Sequence, residues 1–155
     1  MKELKKILIP LDYSPEVMRV LVPYAQYFAM KLNAEIHLLH VQETIELFDE
    51  FDLPEDHFKT MMMNAFETAK VRMNRIVNEE FKGLEIKTSN VIIGDAASII
   101  VKFADKKEFD FILMGTHGRK GSDKIVFGSV TYRVAKKATC PVITVNPYRV
   151  KSKLI

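Results

Sequence analysis

Four of the six glycines in this chain, Gly115, Gly118, Gly121 and Gly128, fall within fourteen residues, in the segment GTHGRKGSDKIVFGS that ends at Ser129. Glycine lets another group come close to the main chain and admits backbone conformations that other residues avoid. Successive amide N–H groups in such a turn make a concave nest for an anion, and the start of a following helix adds partial positive charge. A helical pattern begins at Ser129, whose hydroxyl could cap that helix or reach a phosphate oxygen. Arg119, Lys120 and Lys124 bring mobile positive charge. Phosphate is the group this chemistry suits. The competing reading is a connection whose glycines only make turns. The loop holds a single histidine, His117, and no carboxylate is spaced to orient it as a base, so it is expected to shape the turn or face solvent. Two familiar nucleotide signatures are excluded. GxxxxGK[ST] fails because the fifth residue after Gly115 is Lys120, and GxGxxG is absent.

The elements that must position this loop follow from hydrophobic patterning. Lys5 to Asp12 (KKILIPLD) is a short apolar run suited to a strand buried on both faces. Ser14 can cap a helix with Pro15 in its first turn. The apolar stripe Val17, Leu21, Tyr24, Ala25, Phe28 and Leu32 continues that helix, with Pro23 expected to kink it or mark a restart. Ala34 to Val41 reads as a second strand. The spacing of Phe58, Met62, Phe66, Ala69, Met73 and Ile76 predicts a long helix ending before Gly83. Leu84 to Ile93, then Ala96 to Phe103, then Phe109 to Met114 read as strand, helix and strand. Ser129 to Ala138 is a last helix and Pro141 to Val145 a last strand. Strands that alternate with helices predict an open, doubly wound α/β sheet of five parallel strands with helices on both faces. Ligands of such folds sit beyond the carboxyl ends of the strands where the strand order reverses. That draws attention to the residues following Asp12, Val41, Gly94 and Gly115.

Composition narrows the function classes. Lys and Arg exceed Asp and Glu by 23 to 20, a net charge of +3 that gives no case for nucleic-acid binding. There is no run of about 18 uncharged apolar residues, so no membrane helix is expected. The N-terminus carries no pattern of a signal peptide. The one cysteine, Cys140, has no intramolecular partner, and a cytoplasmic protein is expected. Residues 1–147 are expected to form one domain and 148–155 a basic tail. Seven acids lie among residues 43–56, which contain no Lys or Arg, and these read as a solvated connection where a regulatory partner could bind.

The spacing G-x2-G-x9-G-[S/T], met by Gly115, Gly118, Gly128 and Ser129, resembles the ATP-binding signature of the universal stress protein family. The likeness extends to ILIPLDYS, to His40-Val41, to Gly94-Asp95-Ala96-Ala97-Ser98-Ile99-Ile100, to Met114-Gly115-Thr116-His117-Gly118 and to Cys140-Pro141-Val142-Ile143-Thr144-Val145. The resemblance implies a Rossmann-like fold of the adenine nucleotide alpha hydrolase type that binds ATP, with magnesium carried by the phosphates. Pro10 and Asp12 would then lie against the nucleoside, the carboxylate accepting from ribose hydroxyls. Val41 would meet the adenine, and Met114 and Gly115 would line the adenosine pocket. Gly118, Arg119, Gly128, Ser129, Val130 and Thr131 would surround the phosphates. Tyr13 departs from the small residue commonest after the aspartate and is expected to modify the rim of the pocket. The resemblance also implies a homodimer through Pro141 to Val145, an uncharged apolar strand of the kind that pairs at a sheet edge.

The expected function is thus a nucleotide-dependent regulatory or stress-tolerance module. Two alternatives are a slow ATPase or nucleotidyl transferase and a nucleotide-independent dimeric interaction module. The enzyme reading would draw on Asp12, Asp95 and Asp123, which show no diagnostic pairing for magnesium.

Overall fold

The computed structural model describes residues 3–44, 54–117 and 127–149. The chain opens with β1 (Lys6–Pro10), α1 (Pro15–Leu32) and β2 (Glu35–Gln42). It continues through α2 (Glu55–Glu79), β3 (Ile86–Ile93), α3 (Ala96–Lys106) and β4 (Phe111–Gly115). It closes with α4 (Ser129–Lys137) and β5 (Val142–Val145). All pairings are parallel, in the order β3-β2-β1-β4-β5. The doubly wound α/β sheet of five strands read from the sequence is the fold observed.

Strand alternation builds the two layers. Ile7, Ile9, Phe111 and Leu113 turn to one face and pack with residues of α1 and α2, including Leu21, Ala69 and Met73. Leu8, Ile112 and Met114 turn to the other and pack with Ile100 of α3 and Val134 of α4. A period of two with both faces buried makes the central strands read as unbroken apolar runs.

Ser14 caps α1 as expected, its hydroxyl accepting from the Val17 amide, with Pro15 in the first turn. The helix runs through Pro23 without a restart, although proline cannot donate to the carbonyl one turn back. The acidic connection is shorter than its run of charges suggests. Glu55 and Asp56 belong to the first turn of α2, where carboxylates interact favourably with the helix dipole. The acids between 45 and 53 lie outside the described residues.

From β1 the chain winds outward to β2 and β3. The α3 connection then carries it back across to the other side of β1, where β4 pairs. The reversal therefore falls between β1 and β4, and the carboxyl ends of these two strands diverge into a crevice.

Candidate functional site

That crevice is a cleft of about 760 Å³. Pro10, Leu11 and Asp12 from the end of β1 form one wall, with Leu39, His40 and Val41 from β2 beside them. Met114, Gly115 and His117 follow from β4, and residues 127–132 complete the opposite wall. Ala96 and Ile100 of α3 and Val17 of α1 close the floor and side. Nine residues singled out from the sequence line this one space: Pro10, Asp12, Val41, Met114, Gly115, Gly128, Ser129, Val130 and Thr131. Gly118 and Arg119 lie outside the described residues.

Asp12 is placed by an Asx turn. One carboxylate oxygen, Oδ1, accepts from the Ser14 amide at 3.0 Å, which shapes the exit from β1 into α1. The other, Oδ2, is buried and has no hydrogen-bond partner. An unsatisfied buried acceptor costs about 1–3 kcal/mol, more when charged, so a group that donates to it would be held strongly.

Tyr13 adopts a positive φ of 65°, uncommon for a bulky side chain. This turns its ring away from the cleft and into the α2 side, correcting the expectation that it would modify the pocket rim. The side chain is only 2% exposed, and its hydroxyl donates to the Ala69 carbonyl at 2.8 Å. Its ring stacks on His40 with centroids 3.9 Å apart. Arg72 donates to the Tyr13 carbonyl at 3.0 Å and lies over the same ring. Burial pushes the phenol well above its ordinary pKa, so it stays a donor. His40 in turn bonds the Leu11 carbonyl through Nδ1 at 2.7 Å.

Opposite, α4 is fastened to the end of β4 at two points. The Gly128 amide donates to the Thr116 carbonyl at 2.6 Å, and the Thr131 hydroxyl donates to the Gly115 carbonyl at 2.8 Å. Thr131 has therefore committed its hydroxyl proton, and its side chain acts as a strut. Gly128 is the N-cap residue, so Ser129 does not cap the helix, and Gly128 itself offers no side-chain cap. First-turn amides have no acceptor within a helix. Those of α4 belong to residues that line the cleft, with the dipole's positive end behind them, and among the described residues no side chain caps them. Gly115 is required here by close approach. A Cβ at this position would lie 2.7 Å from Cγ1 of Val17.

His117 differs most from its sequence reading. It is 3% exposed, so it does not face solvent. Its Nδ1 is 2.7 Å from the Thr116 hydroxyl, its ring meets Tyr148 edge to face, and its Nε2 is buried without a partner. Tyr148, assigned from sequence to the tail, thus packs against the cleft wall. Asp95 is spent elsewhere. It caps α3 by accepting from the Ser98 amide, and its two oxygens accept from Nη1 and Nη2 of Arg133, at 2.8 and 2.7 Å. Those bonds hold its carboxyl far below the usual range. Asp123 lies outside the described residues. Among the described residues no cluster of three or more His, Cys, Asp or Glu is placed to hold a metal ion, and no helix is long and apolar enough to cross a membrane.

The sequence reading placed Ala96, Ile100 and Val17 on apolar helix faces, and Ala96 and Ile100 in the family-like segment, but gave none of them a role in the site. Their placement in the cleft depends on where α1 and α3 cross the sheet, which no local pattern encodes.

The family model for the universal stress protein family matches residues 3–146. Universal stress protein MJ0577 of Methanocaldococcus jannaschii is 33% identical over 155 residues, covering 92% of this chain and 94% of that protein. Universal stress protein MJ0531 of the same organism is 32% identical over 146 residues, covering 92% of this chain and 82% of the relative. The solved structure of MJ0577 superposes with a TM-score of 0.80 at 31% identity, covering 97% of this chain and all (100%) of that one. A universal stress protein in complex with cAMP shares the fold, with a TM-score of 0.66 at 16% identity over 94% of this chain and 99% of that one. One from Archaeoglobus fulgidus in complex with dAMP does so with a TM-score of 0.58 at 20% identity over 94% of this chain and all (100%) of that one. On the family match and these relatives, the chain belongs to the universal stress protein family.

Proposed function

We propose that this chain is a cytoplasmic, ATP-binding universal stress protein that acts as a nucleotide-dependent regulatory module. One observation carries the reading. Within a single cleft at the strand-order reversal, an unpartnered carboxylate oxygen of Asp12 stands across from the uncapped start of α4. A carboxylate accepts from two vicinal hydroxyls, which a ribose supplies, and bare first-turn amides with a positive dipole end suit phosphate. Between them Val41, Ile100 and Met114 offer an apolar wall for a flat base. The complexes with cAMP and dAMP show that members of this fold can hold adenine nucleotides. Gly118 and Arg119 join the phosphate site in this proposal. Magnesium would ride on the phosphates, with Asp12 committed to the sugar and Asp95 to Arg133.

The second half of the proposal is a homodimer through β5. This is an edge strand of four residues, and Ile143 is 36% exposed on it. An open apolar edge invites pairing with a second copy.

Calorimetric titration with ATP tests the nucleotide reading. Saturable binding with one site per chain supports it, and no heat at millimolar ATP with folded protein removes it. Sedimentation at micromolar concentration tests the dimer, and a monomer there would remove that half.

A further inference from the structure

A second, smaller space lies on the α2 side of the turn at Tyr13. It measures about 240 Å³, and its lining includes Tyr13, His40, Gln42, Ala65, Thr68 and Arg72. The stacked rings of Tyr13 and His40 divide it from the larger cleft, and His40 lines both spaces. The protein itself engages these two rings. The Tyr13 hydroxyl donates to the Ala69 carbonyl, and His40 Nδ1 meets the Leu11 carbonyl. Arg72 is different. A guanidinium carries five N–H donors, and here Nη2 donates to the Tyr13 carbonyl at 3.0 Å. Among the described residues Arg72 has no other hydrogen bond and no carboxylate at ion-pair distance. The side chain is half-buried, so its charge is screened less than on open surface. Gln42 uses its amide nitrogen on the Glu43 carbonyl, while its oxygen can accept, and the Thr68 hydroxyl can donate or accept.

We propose that this pocket binds a small hydroxycarboxylate, separately from the larger cleft. A planar carboxylate matches the planar fork of the Arg72 guanidinium, and the ligand's hydroxyl would pair with Gln42 or Thr68. Charge favours a carboxylate over a phosphate. Arg72 is the one permanent cation among the described lining residues, and it balances a single negative charge where a phosphate group brings nearly two. Size sets the rest. The space falls below the roughly 300–1,000 Å³ of sites for drug-sized ligands, which limits the occupant to a few carbons. The site stands on Arg72 and does not depend on what the larger cleft holds.

Lactate is the probe, titrated into the isotope-labelled full chain in place of chloride at constant ionic strength. The Arg72 Nε–H and Gln42 side-chain amide resonances should shift and saturate, with a dissociation constant of roughly millimolar order for so small a ligand. Uncharged lactamide should leave both in place. Arg72→Met should weaken lactate roughly tenfold or more. That variant also loses the bond to the Tyr13 carbonyl, so Ala65→Leu serves as the second. It fills the pocket, leaves Arg72 intact, and should weaken lactate by a similar factor in a folded protein. Shifts that never saturate, or that persist in Ala65→Leu, would overturn the proposal. So would inorganic phosphate that binds at Arg72 more tightly than lactate, or ATP that displaces lactate, which would place the probe in the larger cleft. Lactate bound equally well with ATP present supports two separate sites. If ATP does not bind at all, the nucleotide reading falls, and the shifts at Arg72 and Gln42 still decide this one.

Discussion

At the end of β1 most polar groups already have partners: Asp12 Oδ1 holds the Ser14 amide, His40 holds the Leu11 carbonyl, and Tyr13 bonds Ala69 while Arg72 bonds Tyr13. At the start of α4, across the cleft, the first-turn amides have no side-chain cap and His117 Nε2 has no partner. One wall is braced by its own network, with a single carboxylate oxygen left over. The other is braced at the carbonyls of Thr116 and Gly115 and by the ion pair from Arg133 to Asp95, and the start of its helix carries no side-chain cap. The difference teaches a division of labour. The β1 wall spends its stability on holding one acceptor in place, and the α4 wall keeps donors unspent for a ligand that brings its own charge.

The most damaging way to test that division is to invert the one open group of the braced wall. Asp12→Asn keeps the Asx turn but replaces the charged acceptor oxygen with a donor or a neutral amide. ATP affinity measured by calorimetry should fall roughly 10- to 100-fold, with apo thermal stability nearly unchanged. A large drop in stability with affinity retained would make Asp12 a structural residue only.

Gly115→Ala attacks the bracing between the walls. Its Cβ would collide with Val17, whose branched side chain has little rotamer freedom. Urea denaturation should show a loss of about 1–3 kcal/mol. Val17→Ala in the same chain should recover part of it, and no recovery would point to a different clash.

Tyr13→Phe sharpens the comparison further. Losing the bond to Ala69 should cost about 1 kcal/mol of stability, with ATP affinity unaltered because the ring lies on the α2 side. A selective loss of affinity would return Tyr13 to the cleft rim.

The smallest expected effect lies far from both walls, at His37. Burial pushes its imidazole below the ordinary value of 6.5, outweighing the nearby Glu35 carboxylate, while Lys6 and Lys87 push the same way as burial. Thr88 and Phe109 complete its surroundings. The unfolded chain then binds the proton more readily than the folded one. The contribution is whole above the unfolded value and is lost as pH falls through it toward the lower folded value. Stability should therefore decline between neutral and mildly acid pH, and His37→Gln should flatten that decline. An unchanged slope would assign it to other groups.

Much of this architecture is legible in the residues. Ile7-Leu8-Ile9 and Phe111-Ile112-Leu113 announce buried parallel strands because both faces are covered, and Ser14-Pro15 announces the start of α1. The strand order then places Pro10, Asp12, Val41, Met114 and Gly115 at one edge. What was not legible depends on directions that spacing does not carry. The positive φ at Tyr13 reverses its ring, and the bond from Thr131 to Gly115 occupies the hydroxyl of a residue that the family resemblance sets beside the phosphates. The inward turn of His117 needs Tyr148, thirty-one positions later, to pack behind it. Glu55 and Asp56 looked like loop because a run of acids hides the helix that they begin.

A crystal structure of the protein grown with excess ATP tests the central claim most directly. The expected result is ribose hydroxyls on Asp12 Oδ2 and phosphate oxygens over the amides of Ser129 and Val130. ATP bound elsewhere, or a cleft that closes on itself with Asp12 paired to a protein group, would contradict it.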